Sequence, residues 1–393
     1  MKYIPRLIET SMRHSLKRNK SILLLGARQT GKTTLIRQIE HDLYISFVQP
    51  DIRQRYEKNP SLLNLEIKNI PDTHKHLKPL IILDEVQRIP EILDVVQDQT
   101  DNQKANFILT GSSARKLWHG SKVNLLPGRV TALRLDPMTL REFPSRSLDE
   151  NLIFGSLPGI LAVENSKDRA TDLESYVTTY LEQEIRAEAL VRNIGSFARF
   201  LELAASESGN IVNFRKLSQE IGVAHTTIMD YYQILEDCLI AERIEPITQS
   251  KTRKKLTKSE KYIFFDLGVR RVSAQEGIKP ARSVQGLLFE QFIGLELIRC
   301  SRLKDQKIRI HFWRDPDGPE VDWVIDKEGE YIPIEVKMTE VPSDNDLRAL
   351  KLFLAEYSNA SKAYIICQTP RQLKLTDRIY CLPWQEIDSL ILD

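Results

Sequence analysis

Cysteine is scarce in this sequence and forms no recognisable motif. The chain has four cysteines, which are Cys238, Cys300, Cys367 and Cys381. They lie far apart, without a CxxC pair and without a neighbouring histidine at the spacing of zinc ligands. This pattern argues against a disulfide framework and against a zinc knuckle, so we expect the thiols to be small buried apolar groups.

Long apolar runs are also missing. No uninterrupted apolar stretch of the sequence approaches the roughly 20 residues that a membrane-crossing helix needs. The first ten residues, MKYIPRLIET, lack the apolar core of a secretory signal. Both absences predict a soluble, cytoplasmic protein with no membrane partner.

Charge of one sign is not in excess, because 56 Lys and Arg residues oppose 54 Asp and Glu residues and leave a net charge of +2. The overall charge therefore argues neither for nor against a nucleic-acid partner, and only local clustering is informative. One basic cluster is present, from Lys251 to Lys261. A chain of 393 residues is too long for one ordinary core, so its length predicts about two or three domains and more than one site.

A phosphate-binding motif lies near the N-terminus. The apolar run from Ser21 to Gly26 predicts a buried strand, and a helical pattern follows from Lys32 to Glu40. Between them, GARQTGKT at positions 26–33 fits the pattern GxxxxGK[ST] in the strand-loop-helix setting that the motif requires. This setting argues against a chance glycine-rich turn. The predicted nucleotide-binding residues are Gly26, Ala27, Arg28, Gln29, Thr30, Gly31, Lys32, Thr33 and Thr34.

The spacing of this motif follows from the chemistry of phosphate binding. Its glycines let backbone N–H groups curl around the β- and γ-phosphates, and the N-terminus of the following helix adds a partial positive charge. Lys32 would neutralise the phosphates, and the hydroxyl of Thr33 is placed to coordinate Mg²⁺. ATP and Mg²⁺ are therefore the predicted cofactors.

Two acids end a second buried strand, LIIL at positions 80–83. Ligands of α/β proteins bind at the carboxyl ends of the strands, where Asp84 and Glu85 stand. Asp84 would hold the water shell of Mg²⁺, and Glu85 would act as the general base on the attacking water. A general base is needed for hydrolysis but not for binding, so the pair predicts an ATPase.

Polar residues also follow a third apolar run, which begins at Asn106. Thr110 or Ser112 could sense the γ-phosphate, while an N-cap of a helix by Ser112 or Ser113 is an equally good interpretation. Arg129 precedes a further predicted strand, Thr131 to Leu135. It is either an arginine finger that acts across a subunit interface, which would require a homo-oligomer, or a solvated loop arginine.

These segments resemble a known family. The runs GARQTGKTTL, LIILDEVQRIP, FILTGSSARKL and LPGRV are similar to the AAA-type ATPase domain of a large family of bacterial and archaeal ATPases. In that family a restriction-endonuclease-like domain of unknown function typically follows, and the resemblance extends over essentially the whole chain through FGSLPG, YLEQEI and GLLFE. The sequence has Ser156 where the family usually has glycine, and Glu184 where it has aspartate. The resemblance implies nucleotide binding.

The middle of the chain has the pattern of a helix-turn-helix. Positions 151 to about 192 are predicted to be helical and connective, including an amphipathic stretch from Leu173 to Leu190. A short helix is then predicted from Phe214 to Glu220, a stop at Gly222, and a second helix from Thr226 to Asp237. One face of the second helix is apolar and consists of Ile228, Tyr231, Tyr232 and Leu235.

The basic cluster follows this pattern directly. An extended segment from Leu239 to Ile244, the cluster, and an apolar strand from Tyr262 to Phe265 predict the hairpin with which a winged helix contacts phosphates. Nonspecific duplex binding is favoured over sequence reading, because His225, Thr226 and Thr227 offer little beyond one base contact. The alternative is a protein–protein adaptor or a lid with a solvated wing.

The C-terminal part has the pattern of a nuclease core. A helix from Gln285 to Cys300 carries Glu290, and strands are predicted at 308–314, 320–326, 331–337 and 363–367. Asp322 followed after twelve residues by Glu335 and, two positions on, Lys337 resembles the PD-(D/E)xK pattern. Because side chains alternate along a strand, Glu335 and Lys337 share a face.

The chemistry of that pattern assigns a role to each residue. Asp322 and Glu335 would bind Mg²⁺, Lys337 would orient or deprotonate water, and Glu290 would steady metal or water. A second interpretation treats Asp322 as a strand-end cap and Lys337 as a solvated strand terminus, in a domain that serves as a nucleic-acid-binding or assembly scaffold.

Together the patterns predict an α/β protein with four parts. These are an AAA-type P-loop ATPase domain at 1–145, a helical connector or lid at 146–195, a winged helix at 196–270 and a restriction-endonuclease-like domain at 280–393. The predicted function is ATP hydrolysis coupled to nucleic-acid binding or processing, with DNA favoured over RNA. The rivals are an ATP-gated nuclease and an ATP-dependent switch that recruits a protein partner while its C-terminal site is inert.

Overall fold

The protein is described by a computed structural model that covers residues 3–70, 78–112, 129–144, 146–181, 194–248, 256, 259–304, 306–315 and 318–393. The chain divides into two compact units. The first comprises positions 1–137 and 237–240, and the second comprises 138–236 and 241–393. Within the described ranges, none of the helices combines the length and the apolar character that a bilayer crossing would require.

A five-stranded parallel sheet forms the centre of the first unit, with strand order β2-β3-β4-β1-β5. The three inner strands are buried along their whole length, as expected for parallel strands covered on both faces. This burial explains why the sequence shows them as continuous apolar runs. The strands are β1 Ser21–Leu25, β2 Leu43–Ser46, β3 Leu80–Asp84, β4 Asn106–Gly111 and β5 Val130–Arg134.

Short helices accompany this sheet. One of them, Lys32–Ile36, is shorter than the sequence pattern predicts, so the expected extension to Glu40 is wrong. Its end is marked by a switch to tighter turns, in which the N–H groups of Gln38 and Ile39 bond to carbonyls three residues earlier. The described helices of this unit are Glu9–Lys17, Lys32–Ile36, Pro50–Lys58, Leu62–Lys68 and Ile92–Asp101, with a 3₁₀ turn at Val86–Arg88.

The first half of the second unit is mainly helical. The predicted pair of short helices is present at Phe214–Ile221 and His225–Asp237, and Gly222 ends the first of them with φ of +77°. The apolar face predicted for the second helix is buried as a whole. The other helices here are Leu148–Phe154, Pro158–Leu161, Ser166–Ser175, Ile194–Ser206 and Leu267–Ser273, with a π-helical turn at Tyr176–Leu181.

An antiparallel hairpin follows the helix pair. It consists of β6 Ala241–Ile244 and β7 Lys261–Phe264, with Ile244 opposite Lys261. Most of the predicted basic cluster, at 251–255 and 258, lies outside the described residues. Lys261, the last residue of that cluster, is described and belongs to β7.

The second half of this unit is a six-stranded mixed sheet preceded by a long helix, Arg282–Ser301. The strand order is β12-β13-β11-β10-β9-β8. A crossover through the helix Arg348–Glu356 joins the parallel pair β10–β11. The strands are β8 Ile308–Arg314, β9 Glu320–Lys327, β10 Glu330–Val336, β11 Ala363–Cys367, β12 Leu373–Lys374 and β13 Ile379–Pro383, and a short helix Ser389–Leu392 follows. The remaining elements of this half are 3₁₀ turns at Asp344–Leu347 and Trp384–Glu386.

A buried polar network is built around the long helix. The guanidinium of Arg299, with only 4% of the residue exposed, donates to the Met138 carbonyl at 3.2 Å and to the Ser156 hydroxyl at 2.8 Å. It also contacts the Glu296 carboxylate at 3.1 Å and the Phe265 carbonyl at 2.9 Å. The serine that departs from the resembled family's usual glycine therefore has a buried hydrogen-bond partner.

All four cysteines are buried thiols, as the sequence indicates. Cys367 and Cys381 lie on the neighbouring strands β11 and β13, with their sulfur atoms 3.0 Å apart. Cys238 belongs to the first unit and the other three cysteines belong to the second, and the burial of all four is typical of small packing groups.

Candidate functional site

The loop after β1 has the shape of a phosphate cradle. Its backbone turns through left-handed conformations at Gln29 (φ +61°) and Gly31 (φ +96°). Gly26 must lack a side chain, because a Cβ atom there would lie 2.5 Å from the carbonyl oxygen of Leu135. The Lys32 ammonium folds back over the loop and donates to the carbonyl of Gly26 at 2.7 Å. The loop thus holds a cation at its centre.

The remaining predicted residues of the loop differ in exposure. Thr30 is fully buried, and its hydroxyl donates to the carbonyl of Ala27 at 2.9 Å, which fixes the curve of the loop. Arg28 is half-buried, whereas Gln29 and Thr34 are exposed. A ligand bound at this loop would therefore contact the loop backbone and the side chains of Lys32 and Thr33.

Asp84, at the tip of β3, lies beside the loop, with 1% of its surface exposed. It accepts hydrogen bonds from the hydroxyls of Thr33 at 3.0 Å and Tyr44 at 2.9 Å on one oxygen, and from Thr110 at 2.5 Å on the other. The structure therefore joins Thr33 and Asp84, which are far apart in the sequence. Burial and the Asp84 charge raise the pKa of Tyr44, so this phenol stays a hydrogen-bond donor.

Glu85 follows in a left-handed backbone conformation, with φ of +64°. Its N–H donates to the Thr110 hydroxyl at 2.9 Å, so Thr110 bridges the backbone of Glu85 and the carboxylate of Asp84. The carboxylate of Glu85 accepts hydrogen bonds from Ser112 at 3.1 Å and from the amide of Gln87. Thr110 and Ser112 thus orient the acid pair. The helix that Ser112 or Ser113 was predicted to cap lies outside the described residues, which stop at 112.

Sequence reasoning missed two side chains of this site, Tyr44 and Gln87. Tyr44 lies on β2, which the sequence pattern did not identify. Gln87 stands two residues after Glu85, and only its position in the 3₁₀ turn aims its amide at Glu85.

Arg129, the candidate arginine finger, forms an ion pair with Asp101 of the same chain. Its side chain is 40% exposed. Asp101 ends the helix Ile92–Asp101, so the described contact of the guanidinium is made within the first unit.

A second polar site lies in the C-terminal sheet. Asp322 on β9 accepts a hydrogen bond from the N–H of Val336 at 2.8 Å, and Lys337 contacts the carboxylate of Glu335 at 2.6 Å. Glu290 comes from the long helix, which packs closely on β9 because Gly294 makes room for the ring of Trp323. A Cβ atom at Gly294 would lie 2.1 Å from that ring. The structure thus brings the four predicted residues into one region of the second unit.

A lysine that the sequence assigned to the basic wing completes this cluster. The Lys261 ammonium, with its side chain 4% exposed, lies 2.6 Å from Glu320 and 3.2 Å from Glu290. Burial, together with the Asp322 charge, raises the pKa of Glu290 to about 8. Burial alone would lower the pKa of Lys261, but the carboxylates of Glu290 and Glu320 raise it, so the amine stays charged.

This arrangement does not fit a divalent metal. Across the described ranges, no group of three or more His, Cys, Asp and Glu side chains has the geometry of a metal site. In the C-terminal cluster the ammonium of Lys261 lies where two carboxylates converge. We therefore derive no metal-dependent cleavage step from this site.

The fold and the first site define a class of protein. The parts that P-loop ATPases share are present: a parallel sheet, a phosphate-binding loop with Lys32 and Thr33, and an acid pair at the carboxyl end of β3. Residues 18–144 match the model of a family described as an AAA domain. Residues 18–144 of this chain are therefore similar to an AAA domain. Residues 145–280 and 285–387 match two families described as domains of unknown function, DUF8612 and DUF4143.

Two uncharacterised proteins align with most of this chain. An uncharacterised protein of Mycobacterium tuberculosis is 25% identical over 395 aligned positions, which cover 96% of this chain and 82% of that protein. An uncharacterised protein of Methanocaldococcus jannaschii is 24% identical, with 94% of this chain and 85% of that protein covered. This chain therefore aligns with most of the length of both relatives.

Similar solved structures include a Bacillus subtilis DNA clamp loader delta protein, with 12% identity, a TM-score of 0.25, and coverage of 73% of this chain and 99% of that one. Another is a structure of Drosophila ORC bound to AT-rich DNA and Cdc6, with 10% identity, a TM-score of 0.25, and coverage of 68% and 91%. Likeness at this level carries no argument about function.

Proposed function

We propose that this chain binds ATP at the loop formed by positions 26–34 and hydrolyses it with the help of Mg²⁺. The observation that carries the proposal is the 3.0 Å contact between Thr33 and Asp84 beside the Lys32 ammonium. A hydroxyl and a carboxylate in contact are the oxygen ligands, direct or through water, that Mg²⁺ takes in nucleotide sites. The donor set therefore fits a magnesium–nucleotide complex.

Each residue then has a defined task. Lys32 exchanges its contacts with the loop carbonyls for phosphate oxygens, while the backbone N–H groups of the loop bind the same phosphates. Thr33 and Asp84 hold the metal, whose contribution when bound is to neutralise charge on the phosphate oxygens. Glu85 accepts the proton of the attacking water, and its hydrogen bonds from Ser112 and Gln87 hold the carboxylate in place.

We expect the Lys32→Ala variant to lose ATP turnover. Removal of the ammonium leaves the phosphate charge uncompensated, and loss of one such donor lowers kcat/KM by on the order of 100-fold or more. The measurement is phosphate release by the purified chain with Mg²⁺ and ATP, together with binding of a fluorescent ATP analogue. Lys17→Ala, which removes an exposed lysine of the same unit, is the matched control. Unchanged binding and turnover in Lys32→Ala would refute the site.

We further propose that the chain has four parts, at 1–145, 146–195, 196–270 and 280–393. In this proposal, nucleotide turnover in the first part is coupled to DNA binding by the parts that follow it. The support is the concentration of basic residues in the sequence between β6 and β7, which follows the helix pair along the chain. A basic hairpin next to two such helices is the arrangement with which winged helices contact the phosphate backbone. In this proposal Arg129 acts in a neighbouring subunit, which requires a homo-oligomer and release from Asp101.

Charge reversal in the basic segment tests the DNA proposal. We expect Lys254→Glu combined with Lys255→Glu to weaken binding to duplex DNA and to lower the salt dependence by about one unit of slope for each lost phosphate contact. The measurement is fluorescence anisotropy of a labelled duplex over a salt series. Lys167→Glu combined with Lys351→Glu reverses two exposed lysines elsewhere in the second unit and is the control. An equal loss of DNA affinity in the two double variants would show that the effect comes from net charge alone.

A second function is favoured by the position of Lys261. An ATP-dependent switch that recruits a protein partner would need no cleavage site, and the ammonium between Glu290 and Glu320 is consistent with a C-terminal domain that serves as a scaffold. Plasmid incubation with Mg²⁺ or Mn²⁺ and ATP distinguishes the two functions, because metal-dependent cutting that is lost in Asp322→Ala would exclude the scaffold.

A further inference from the structure

Arg6, near the N-terminus of the first unit, contacts the phosphate-binding loop. Its side chain is buried, with 7% of the residue exposed. Its Nη1 donates to the carbonyl of Thr30 at 2.8 Å, and its Nη2 donates to the carbonyl of Asp136 at 2.8 Å. The guanidinium therefore joins the loop to the segment that follows β5.

The backbone of Arg6 is fixed at the start of the helix Glu9–Lys17. The N–H of Arg6 donates to the carboxylate of Glu9 at 3.0 Å, and the N–H of Glu9 donates to the carbonyl of Arg6 at 3.1 Å. The hydroxyl of Tyr3 donates to the same oxygen of Glu9 at 2.5 Å. The guanidinium thus reaches the loop from a backbone position that reciprocal hydrogen bonds hold.

The contact with Thr30 determines the direction of a second backbone group. Thr30 stands between Gln29 and Gly31, which both have left-handed backbone conformations. The N–H and C=O groups of a trans peptide point in opposite directions. Because Arg6 holds the carbonyl of Thr30, it also fixes the direction of the Gly31 N–H, which belongs to the same peptide unit. A charged donor polarises the peptide that it binds, so this N–H becomes a stronger donor.

The first residue of the loop contacts the same segment after β5. A Cβ atom at Gly26 would lie 2.5 Å from the carbonyl oxygen of Leu135, and the N–H of Leu135 donates to the carbonyl of Leu25 at 2.7 Å. The first unit ends at position 137 in this part of the chain. A change in the loop backbone is therefore transmitted to the residues that lead out of the first unit.

We propose that Arg6 is a positioning residue of the nucleotide site. It directs the Gly31 N–H at the bound phosphates, and it couples occupancy of the loop to the segment at 135–137. The part of the ligand on which it acts is the polyphosphate, whose oxygens accept hydrogen bonds from the N–H groups of the loop. This inference rests on the ATP binding proposed above and adds a residue outside the sequence motif.

Arg6→Met tests the positioning role, because it removes the charge and both donors but keeps an apolar side chain. We expect it to weaken ATP binding about tenfold, the upper end of what one hydrogen bond contributes, and to weaken competition by inorganic tripolyphosphate by the same factor. Tripolyphosphate lacks the nucleoside, so equal factors locate the effect at the phosphates. The measurement is displacement of a fluorescent ATP analogue. Arg18→Met, which removes an exposed arginine of the same unit, is the matched control.

Hydrogen exchange measures the coupling. In the unaltered chain, ATP should slow amide exchange both in the loop at 26–34 and in the segment at 130–137, where the N–H of Leu135 bonds to the end of β1. In Arg6→Met at saturating ATP, we expect the loop to remain protected while the ATP-dependent protection of 130–137 is lost. Arg6→Lys can bond to only one of the two carbonyls, so it should show a smaller loss of affinity and of protection.

Equal ATP affinities of Arg6→Met and Arg18→Met would overturn the inference. Weaker ATP binding with unchanged tripolyphosphate competition would also overturn it, because Arg6 would then act on the nucleoside. The same holds if ATP protects the loop of the unaltered chain but not 130–137. If Arg6→Met does not fold, unaltered affinity and protection in Arg6→Lys would count against the inference. If ATP does not protect the loop of the unaltered chain, the proposed ATP site itself is wrong.

Discussion

Replacing Glu85 with glutamine is expected to lower the rate of ATP hydrolysis by about 100- to 1,000-fold, the contribution of a positioned general base, while ATP still binds. Glutamine preserves the size of the side chain and can still accept a hydrogen bond from Ser112, but it cannot take a proton from water. Lys32, Thr33 and Asp84 are unchanged, so the phosphate and metal contacts persist. The variant should therefore retain bound ATP.

Single-turnover hydrolysis and equilibrium nucleotide binding measure the two halves of this prediction separately. Glu91→Gln makes the same chemical change at an exposed position of the first unit and should leave both quantities unaltered. If Glu85→Gln loses ATP binding together with turnover, the residue supports the nucleotide site rather than activating water. Undiminished turnover would show that another group serves as the base.

Truncation of Arg299 to alanine is expected to destabilise the second unit by about 3–5 kcal/mol, the usual cost of breaking a buried ion pair. The guanidinium binds the Glu296 carboxylate, the Ser156 hydroxyl and two backbone carbonyls in a region closed to water. Without it, these acceptors lose their buried donor. The Glu296 carboxylate is 1% exposed, and this burial raises its pKa to about 7.

Urea unfolding followed by circular dichroism measures this loss as a shift in midpoint. Arg282→Ala removes an exposed arginine from the first turn of the same helix and should change the free energy of unfolding by less than about 0.5 kcal/mol. Equal stability of the two variants would mean that the network around Arg299 contributes no net free energy. If Arg299→Ala does not express, Glu296→Gln probes the same network from the other partner.

The nucleotide site could be predicted from the sequence because its main parts are local. The loop from Gly26 to Thr33 is contiguous, and both acids stand directly after an apolar run that can only be a buried strand. A parallel sheet places its strand ends together, so the pairing of Thr33 with Asp84 follows from two local patterns. The length of the first helix was misjudged, because helical periodicity continues beyond Ile36 while the hydrogen bonds change to a tighter turn.

The C-terminal cluster shows what local patterns leave out. Asp322 lies on β9, Glu335 lies on the adjacent strand β10, and Lys337 follows β10 directly. Their spacing is recognisable, and the sequence predicted their approach. The sequence pattern predicted that Lys261 is the last residue of a basic wing, because its partners Glu290 and Glu320 lie far from it in the sequence. The pairing of β7 with β6 and with Ile211 fixes the backbone of Lys261. The carboxylates that its amine contacts come from the long helix and from β9.

Glu85 has a left-handed backbone conformation, which lowers the stability of the fold at the position that supplies the proposed catalytic base. For a residue with a Cβ atom this conformation costs about 1–2 kcal/mol, whereas glycine adopts it freely. A glycine at position 85 would relieve the strain and at the same time remove the carboxylate that the proposed hydrolysis requires. Directed evolution that selects for heat resistance alone should therefore favour Glu85→Gly. The resulting proteins would be more stable and would bind ATP without hydrolysing it.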